Sequence, residues 1–367
     1  MVRMFASYLL AGCIATLAHA AEVKGPVTEE GTLDGAPFLI EVPEKWNGGL
    51  IMYAHGYAVV YQTPRYNRLI VDIGKAQGFA VAQSLYSKQG WAAEQGVLET
   101  EALRQYFAKK YGETSPTIIA GHSQGASITF ETIERFPKEY DGALPMCGTP
   151  ESTPKFFKER MFDMRILFDY YFPGLPGSAV EFPDGQATMP KMLGRARELV
   201  EADPKRAEEF IRLVDLPDVP TLPTVIAFWS EILREMQTRA GGNAFDNRDT
   251  IYAGSSNDAE LNRNVQRFAG DPKAMEYVKA WVTIDARIED PVLAVHTLVD
   301  QLISARSPKY YETLTELAGT RDKYVQLWVD RVGHCAFSPE ETAEALRMLV
   351  AWIKDGVKPT PGELKGK

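Results

Sequence analysis

Two hydrophobic rhythms alternate along the chain. Leu50-Ile51-Met52-Tyr53-Ala54, Ala80-Val81-Ala82, Thr117-Ile118-Ile119-Ala120 and Ala143-Leu144-Pro145-Met146 are short apolar runs bounded by glycine. None shows polar alternation, the pattern of strands buried on both faces. Between them the period lengthens to that of helices, over Tyr66 to Gln77, Leu98 to Tyr111 and Ala126 to Phe136. In the second of these, Leu98, Ala102, Leu103, Tyr106 and Phe107 form one stripe, the mark of a helix with a single buried face. Strand and helix in alternation predict a parallel α/β sheet.

From about residue 151 to 285 the strand signal fades. Phe156, Phe157, Phe162, Phe168, Tyr170, Tyr171 and Phe172 crowd together in sequence that reads as helical. The alternation then resumes, with strands at Pro291 to Val295 and Tyr324 to Val329 and helices at Pro308 to Leu317 and Pro339 to Lys354. The last helix has Ser338 as N-cap and Glu341 three residues on, a capping box. Residues 21–150 and 286–367 are therefore expected to form one sheet domain, and 151–285 a helical insertion covering it as a lid. The Pro-, Gly- and Lys-rich tail from Lys358 is expected to be loose.

The first 20 residues read as a secretory signal: Arg3, an apolar stretch from Met4 to Leu17, then Ala18-His19-Ala20 as a cleavage site. This predicts a secreted or periplasmic protein. Leu10-Ala11-Gly12-Cys13 offers a competing lipoprotein reading, anchored to a membrane through Cys13. The stretch is shorter than the roughly 20 residues a spanning helix needs.

Composition narrows the classes. With 45% apolar and 24% charged residues the chain has the material for a large core, which excludes disorder and fibrous repeats. A net charge of -9, or -10 once Arg3 is removed with the signal, and no long basic run argue against nucleic acid as a partner.

The chemistry concentrates in Gly121-His122-Ser123-Gln124-Gly125. Set between a buried strand and a helix, this G-x-S-x-G turn bends so sharply that a serine side chain stands clear of the backbone. A serine hydroxyl is a weak nucleophile at neutral pH and needs a base, itself held by a third group. Of the four histidines beyond the signal segment, His334, in the loop after the last long strand, is the best-placed base. Asp300, following the Pro291 to Val295 strand, is the candidate acid, with Asp330 as rival.

On these motifs the chain resembles an α/β-hydrolase, whose nucleophile, acid and histidine follow one another in this order. The likeness covers about residues 30–150 and 286–356. It implies the α/β-hydrolase fold: a mostly parallel central sheet flanked by helices, with the helical lid inserted before the strand bearing the acid. It also implies a Ser123, Asp300, His334 triad with an oxyanion hole formed by the backbone N–H groups of Gln124 and Tyr57, and no metal or organic cofactor. Within the superfamily the chain is similar to secreted bacterial serine esterases of the feruloyl-esterase kind. His334-Cys335 matches the pattern in which a cysteine beside the histidine is bridged, although His122 stands before Ser123 where that pattern has cysteine. Cys147 and Cys335 are expected at one sheet edge and, in an exported protein, as a disulfide. The reaction implied is hydrolysis of a small-molecule carboxylic ester through an acyl-enzyme. His55, Phe168, Trp229 and Tyr252 are candidate substrate contacts. A serine peptidase of the prolyl-oligopeptidase type and a non-catalytic binding protein on the same scaffold remain as alternatives.

Overall fold

The computed structural model describes residues 25–60, 64–150, 153–182 and 189–366. The expected signal segment and Cys13 lie outside them. Among the described residues no helix is long and apolar enough to cross a membrane.

One nine-stranded sheet organises the chain, in the order β1-β2-β4-β3-β5-β6-β7-β8-β9. β3 (Leu50–Ala54), β4 (Ala80–Ser84), β5 (Thr117–His122) and β6 (Gly142–Met146) are the four early apolar runs. All are parallel to their neighbours within this group, and nearly every residue is buried. β7 (Val292–Val299) and β8 (Tyr324–Val332) extend the parallel set. Helices α1 (Arg68–Ala76), α2 (Ala93–Tyr111), α3 (Gln124–Arg135), α11 (Arg306–Ala318) and α12 (Pro339–Asp355) connect or flank these strands. Two apolar clusters form, one on each face of the sheet. Ser338 caps α12 through Glu341 in the predicted box.

The mostly parallel sheet has an antiparallel margin, and helix α2 and the tail depart from expectation. β1 (Val27–Leu33) and β2 (Ala36–Val42) form a hairpin, and β2 runs antiparallel to β4. β1 reads Val-Thr-Glu-Glu-Gly-Thr-Leu, too polar to signal a strand, because it is an edge with mostly exposed side chains. Helix α2 starts at Ala93, and its buried stripe runs through Val97, Thr100, Leu103, Arg104 and Phe107, leaving Leu98 44% exposed. A salt bridge from Arg104 to Glu101 lets those two charged residues occupy the inner face. The tail is ordered: β9 (Gly362–Glu363) adds to β8, the Leu364 N–H bonds the Trp328 carbonyl at 2.7 Å, and Leu364 is buried.

Between β6 and β7 the chain is helical, through α4 (Thr153–Phe157), a six-residue π-helix (Lys158–Asp163), α5 (Met164–Tyr171), α6 (Met189–Ala202), α7 (Pro204–Leu213), α8 (Leu222–Ala240), α9 (Asp258–Asn264) and α10 (Pro272–Val282). This insertion has its own apolar cluster, into which the sheet domain sends Trp91, Ala93 and Ile303.

Candidate active site

Ser123 sits between β5 and α3 with φ 55°, a conformation L-residues seldom adopt. Crowding enforces the turn. A Cβ on Gly121 would lie 2.3 Å from the Gly125 carbonyl oxygen, and one on Gly125 2.0 Å from that of Ala54. The Ser123 N–H is tied to the Met146 carbonyl at 3.0 Å, so the elbow hangs from β6 as well. Behind it, the Tyr53 hydroxyl lies 3.1 Å from His122 Nδ1 and accepts from the Asn67 amide. Burial, aided by His334, lowers the His122 pKa to about 4, so the ring stays neutral.

Asp300 and His334 arrive by strand register. β7 and β8 stay paired as far as Val299 and Val332 despite an irregularity after Thr297. Asp300 and the Gly333-His334 turn therefore leave adjacent parallel strands side by side. Gly333 is fastened there by its N–H to the Val299 carbonyl and its carbonyl to the Thr297 hydroxyl. His334 Nδ1 lies 2.7 Å from Asp300 Oδ2, and Nε2 lies 2.8 Å from Ser123 Oγ. The other Asp300 oxygen accepts from the N–H groups of Leu302 and Ile303. Burial acts to raise the Asp300 pKa, but the hydrogen bonds from His334 and Ile303 outweigh it and hold the carboxyl below its ordinary value. Asp330 is exposed on β8 and makes no such contact.

This strand order, with the Ser123 elbow after β5, Asp300 after β7 and His334 after β8, decides the fold. The chain has the α/β-hydrolase fold. Residues 32–212 match a family described as a tannase-like family of unknown function. An o-phthalyl amidase from Xanthobacter agilis is 23% identical, the alignment covering 89% of this chain and 87% of that one. Among solved structures, feruloyl esterase B from Aspergillus oryzae is 14% identical, with a TM-score of 0.47 over 89% of this chain and 80% of that one. Est1E from Butyrivibrio proteoclasticus is 13% identical, with a TM-score of 0.45 over 89% and 98%.

Around the serine lies a narrow cleft. Its walls include Trp91, Phe157, Phe228, Trp229 and Ile232, and Ser127 and Thr149 add a hydroxyl pair 2.6 Å apart. Tyr57 and Gln124 line it as well. A Cβ on Gly56 would come 3.4 Å from Ser123 Cβ, so the loop after β3 lies against the elbow. The Gln124 side chain turns away to the Gly90 carbonyl and the Ala92 N–H, at 3.2 Å each.

Of the expected substrate contacts, only Trp229 is a wall of this cleft. Phe168 is fully buried inside the insertion, packed on Phe172 and Phe210, because a helix flanked on all sides buries its largest ring in its own core. Tyr252 bonds Asp163 and Asn247 and borders a separate surface cleft. His55 stacks on Tyr86 at 4.0 Å, with Nδ1 against the Gly56 carbonyl. Cys147, after β6, and Cys335, after His334, form a disulfide. Sequence reading missed Trp91, Phe228 and Ser127 as walls. Ser127 stands four residues after Ser123, one turn along the same helix face, a spacing that could have marked it.

Proposed function

We propose that Ser123, His334 and Asp300 run the reaction of this carboxylic-ester hydrolase through a covalent acyl-enzyme. His334 Nε2 accepts the Ser123 proton as Oγ attacks the acyl carbon, and Asp300 holds the imidazole in the required tautomer and balances its charge. The oxyanion is met by the N–H groups of Gln124, at the start of α3, and Tyr57. His334 then protonates the leaving alcohol and activates the water that releases the acid. The observation that carries this reading is the hydrogen-bonded run from Ser123 to His334 to Asp300 at the base of an aromatic cleft. Those rings favour a compact aromatic or apolar acyl group, since each buried ring offers apolar area and edge or face contacts. The insertion acts as the lid of this cleft. The protein is exported through residues 1–20, in keeping with its disulfide.

A second reading, hydrolysis of an amide of the same acyl group, is favoured by the resemblance to the o-phthalyl amidase. An organophosphorus fluoride should label Ser123 stoichiometrically, located by peptide mass, and matched ester and amide substrates should then be compared. Absence of labelling would leave a binding protein on a hydrolase scaffold. Faster amide turnover would favour the second reading.

A further inference from the structure

We propose that Glu235 is a positioning residue: a carboxylate from the insertion that holds the oxyanion loop and the acyl-pocket wall in one arrangement. The proposal rests on the acyl-enzyme reading, in which Tyr57 supplies an oxyanion donor.

Glu235 lies on α8, three residues after Ile232 and seven after Phe228, so it continues the helix face that walls the cleft. It is 5% exposed. Each carboxylate oxygen has its own partner in the sheet domain. Oε1 accepts from the Tyr57 hydroxyl at 3.0 Å, and Oε2 accepts from the Trp91 backbone N–H at 2.8 Å. Both partners line the cleft. A Cβ on Gly90 would fall 2.2 Å from Glu235 Oε2, so the loop comes this close only because that position is glycine. The Gln124 side chain grips the same loop at Gly90 and Ala92. A continuous path of contacts thus runs from the insertion through residues 90–92 to the residue beside the nucleophile.

Burying a carboxylate is costly, and here the ion pair that offsets it is long and shared. Arg234 is 3.9 Å away and is engaged by Glu231. Burial accordingly raises the Glu235 pKa. An apolar residue at this helix position would pack as well and avoid the cost, but it could not accept the Tyr57 and Trp91 bonds. Tyr57 is held at both faces of this contact, since its ring also meets Phe228 edge-on with centroids 5.5 Å apart. Displacing α8 would therefore move the Tyr57 backbone N–H and the aromatic wall together.

The test is a double-mutant cycle between Glu235→Leu and Tyr57→Phe, with kcat expressed per active site titrated by the organophosphorus burst, so that misfolded protein does not count. Each single variant should lose about ten- to a hundred-fold in kcat, the scale of a displaced oxyanion donor. The double variant should lose no more than the worse single. Affinity for an aryl trifluoromethyl ketone, which forms an oxyanion on Ser123, should fall in proportion to kcat/KM, a readout that a merely structural role would not move. Glu235→Gln keeps an acceptor for Tyr57 but turns a donor towards Trp91, so it should be intermediate; it replaces Glu235→Leu in the cycle if that variant does not fold. Undiminished kcat in both Glu235 variants, multiplicative losses in the cycle, or unchanged ketone affinity would each overturn the proposal. Failure of the wild-type protein to label at Ser123 would instead overturn the acyl-enzyme reading on which it rests.

Discussion

The ends of the central strands and the helical insertion both face Ser123, but they are positioned by different physics. At the strand ends, backbone places the chemistry: a crowded glycine turn lifts Ser123, and parallel register delivers Asp300 and His334 to neighbouring positions. In the insertion, side chains place the walls, through aromatic contacts such as Phe228 with Trp229 and a few polar ties to the sheet domain. Arg239 reaches the Gln89 carbonyl, and Glu134 of α3 accepts from the N–H groups of Asp285 and Ala286, where the insertion returns. Backbone-placed groups have few substitutes, whereas a packed wall can be rebuilt. Changes at the strand ends should abolish turnover, and changes in the insertion should redirect it.

The largest expected effect tests the first half of that contrast. Ser123→Ala should fold normally by circular dichroism and lose on the order of 10⁴ to 10⁶ in kcat. Asp300→Asn should lose about 10⁴ through the wrong His334 tautomer, while Asp330→Asn stays near wild type. Equal losses at both aspartates would mean that strand register does not select the acid.

Within the insertion, two rings should separate stability from selectivity. Phe168→Ala should cost about 3–5 kcal/mol in urea unfolding, as expected for a fully buried ring, yet leave the relative rates on an ester panel unchanged. Trp229→Ala should alter those relative rates, because Trp229 is a wall of the cleft. Altered ester ratios in Phe168→Ala would show the insertion core and the cleft to be coupled.

Next in size is the cross-link. The disulfide spans 188 positions, and replacing both cysteines with serine should lower stability by about 2–4 kcal/mol in chemical denaturation. It should also reduce kcat more than KM is changed, because the bridge restrains the turn that carries His334.

The smallest effect is acid sensitivity at the elbow. His122 has a pKa near 4 in the fold and an ordinary value of 6.5. The folded state therefore binds its proton less readily, and the stability His122 contributes is present above pH 6.5 and lost as pH falls towards 4. The loss is at most about 3 kcal/mol. His122→Asn should flatten melting temperature against pH over that interval, and an unchanged slope would assign the acid sensitivity elsewhere.

The same contrast explains what the amino-acid order revealed. Ser123, His334, Asp300 and Cys335 were legible because a turn motif or a strand end determines each, and both leave local marks. The β1–β2 hairpin was not, since an edge strand needs no apolar run. Nor was β9, whose order comes from docking a short segment on β8. Phe168, Tyr252 and Trp229 are equally aromatic in sequence. Which of them meets substrate depends on how α5 and α8 pack, a long-range fact. Glu235 carries no local signal at all, since its partners lie 178 and 144 positions away.

The short β9 segment has a consequence for solution behaviour. By lying along β8 it occupies backbone groups at Leu327 and Trp328 that would otherwise stand open at the margin of the sheet. An open margin is a template on which another chain can add a strand. Deleting residues 358–367 should leave the chemistry near Ser123 untouched and convert monodisperse protein into self-associating material, visible by light scattering before any loss of catalysis.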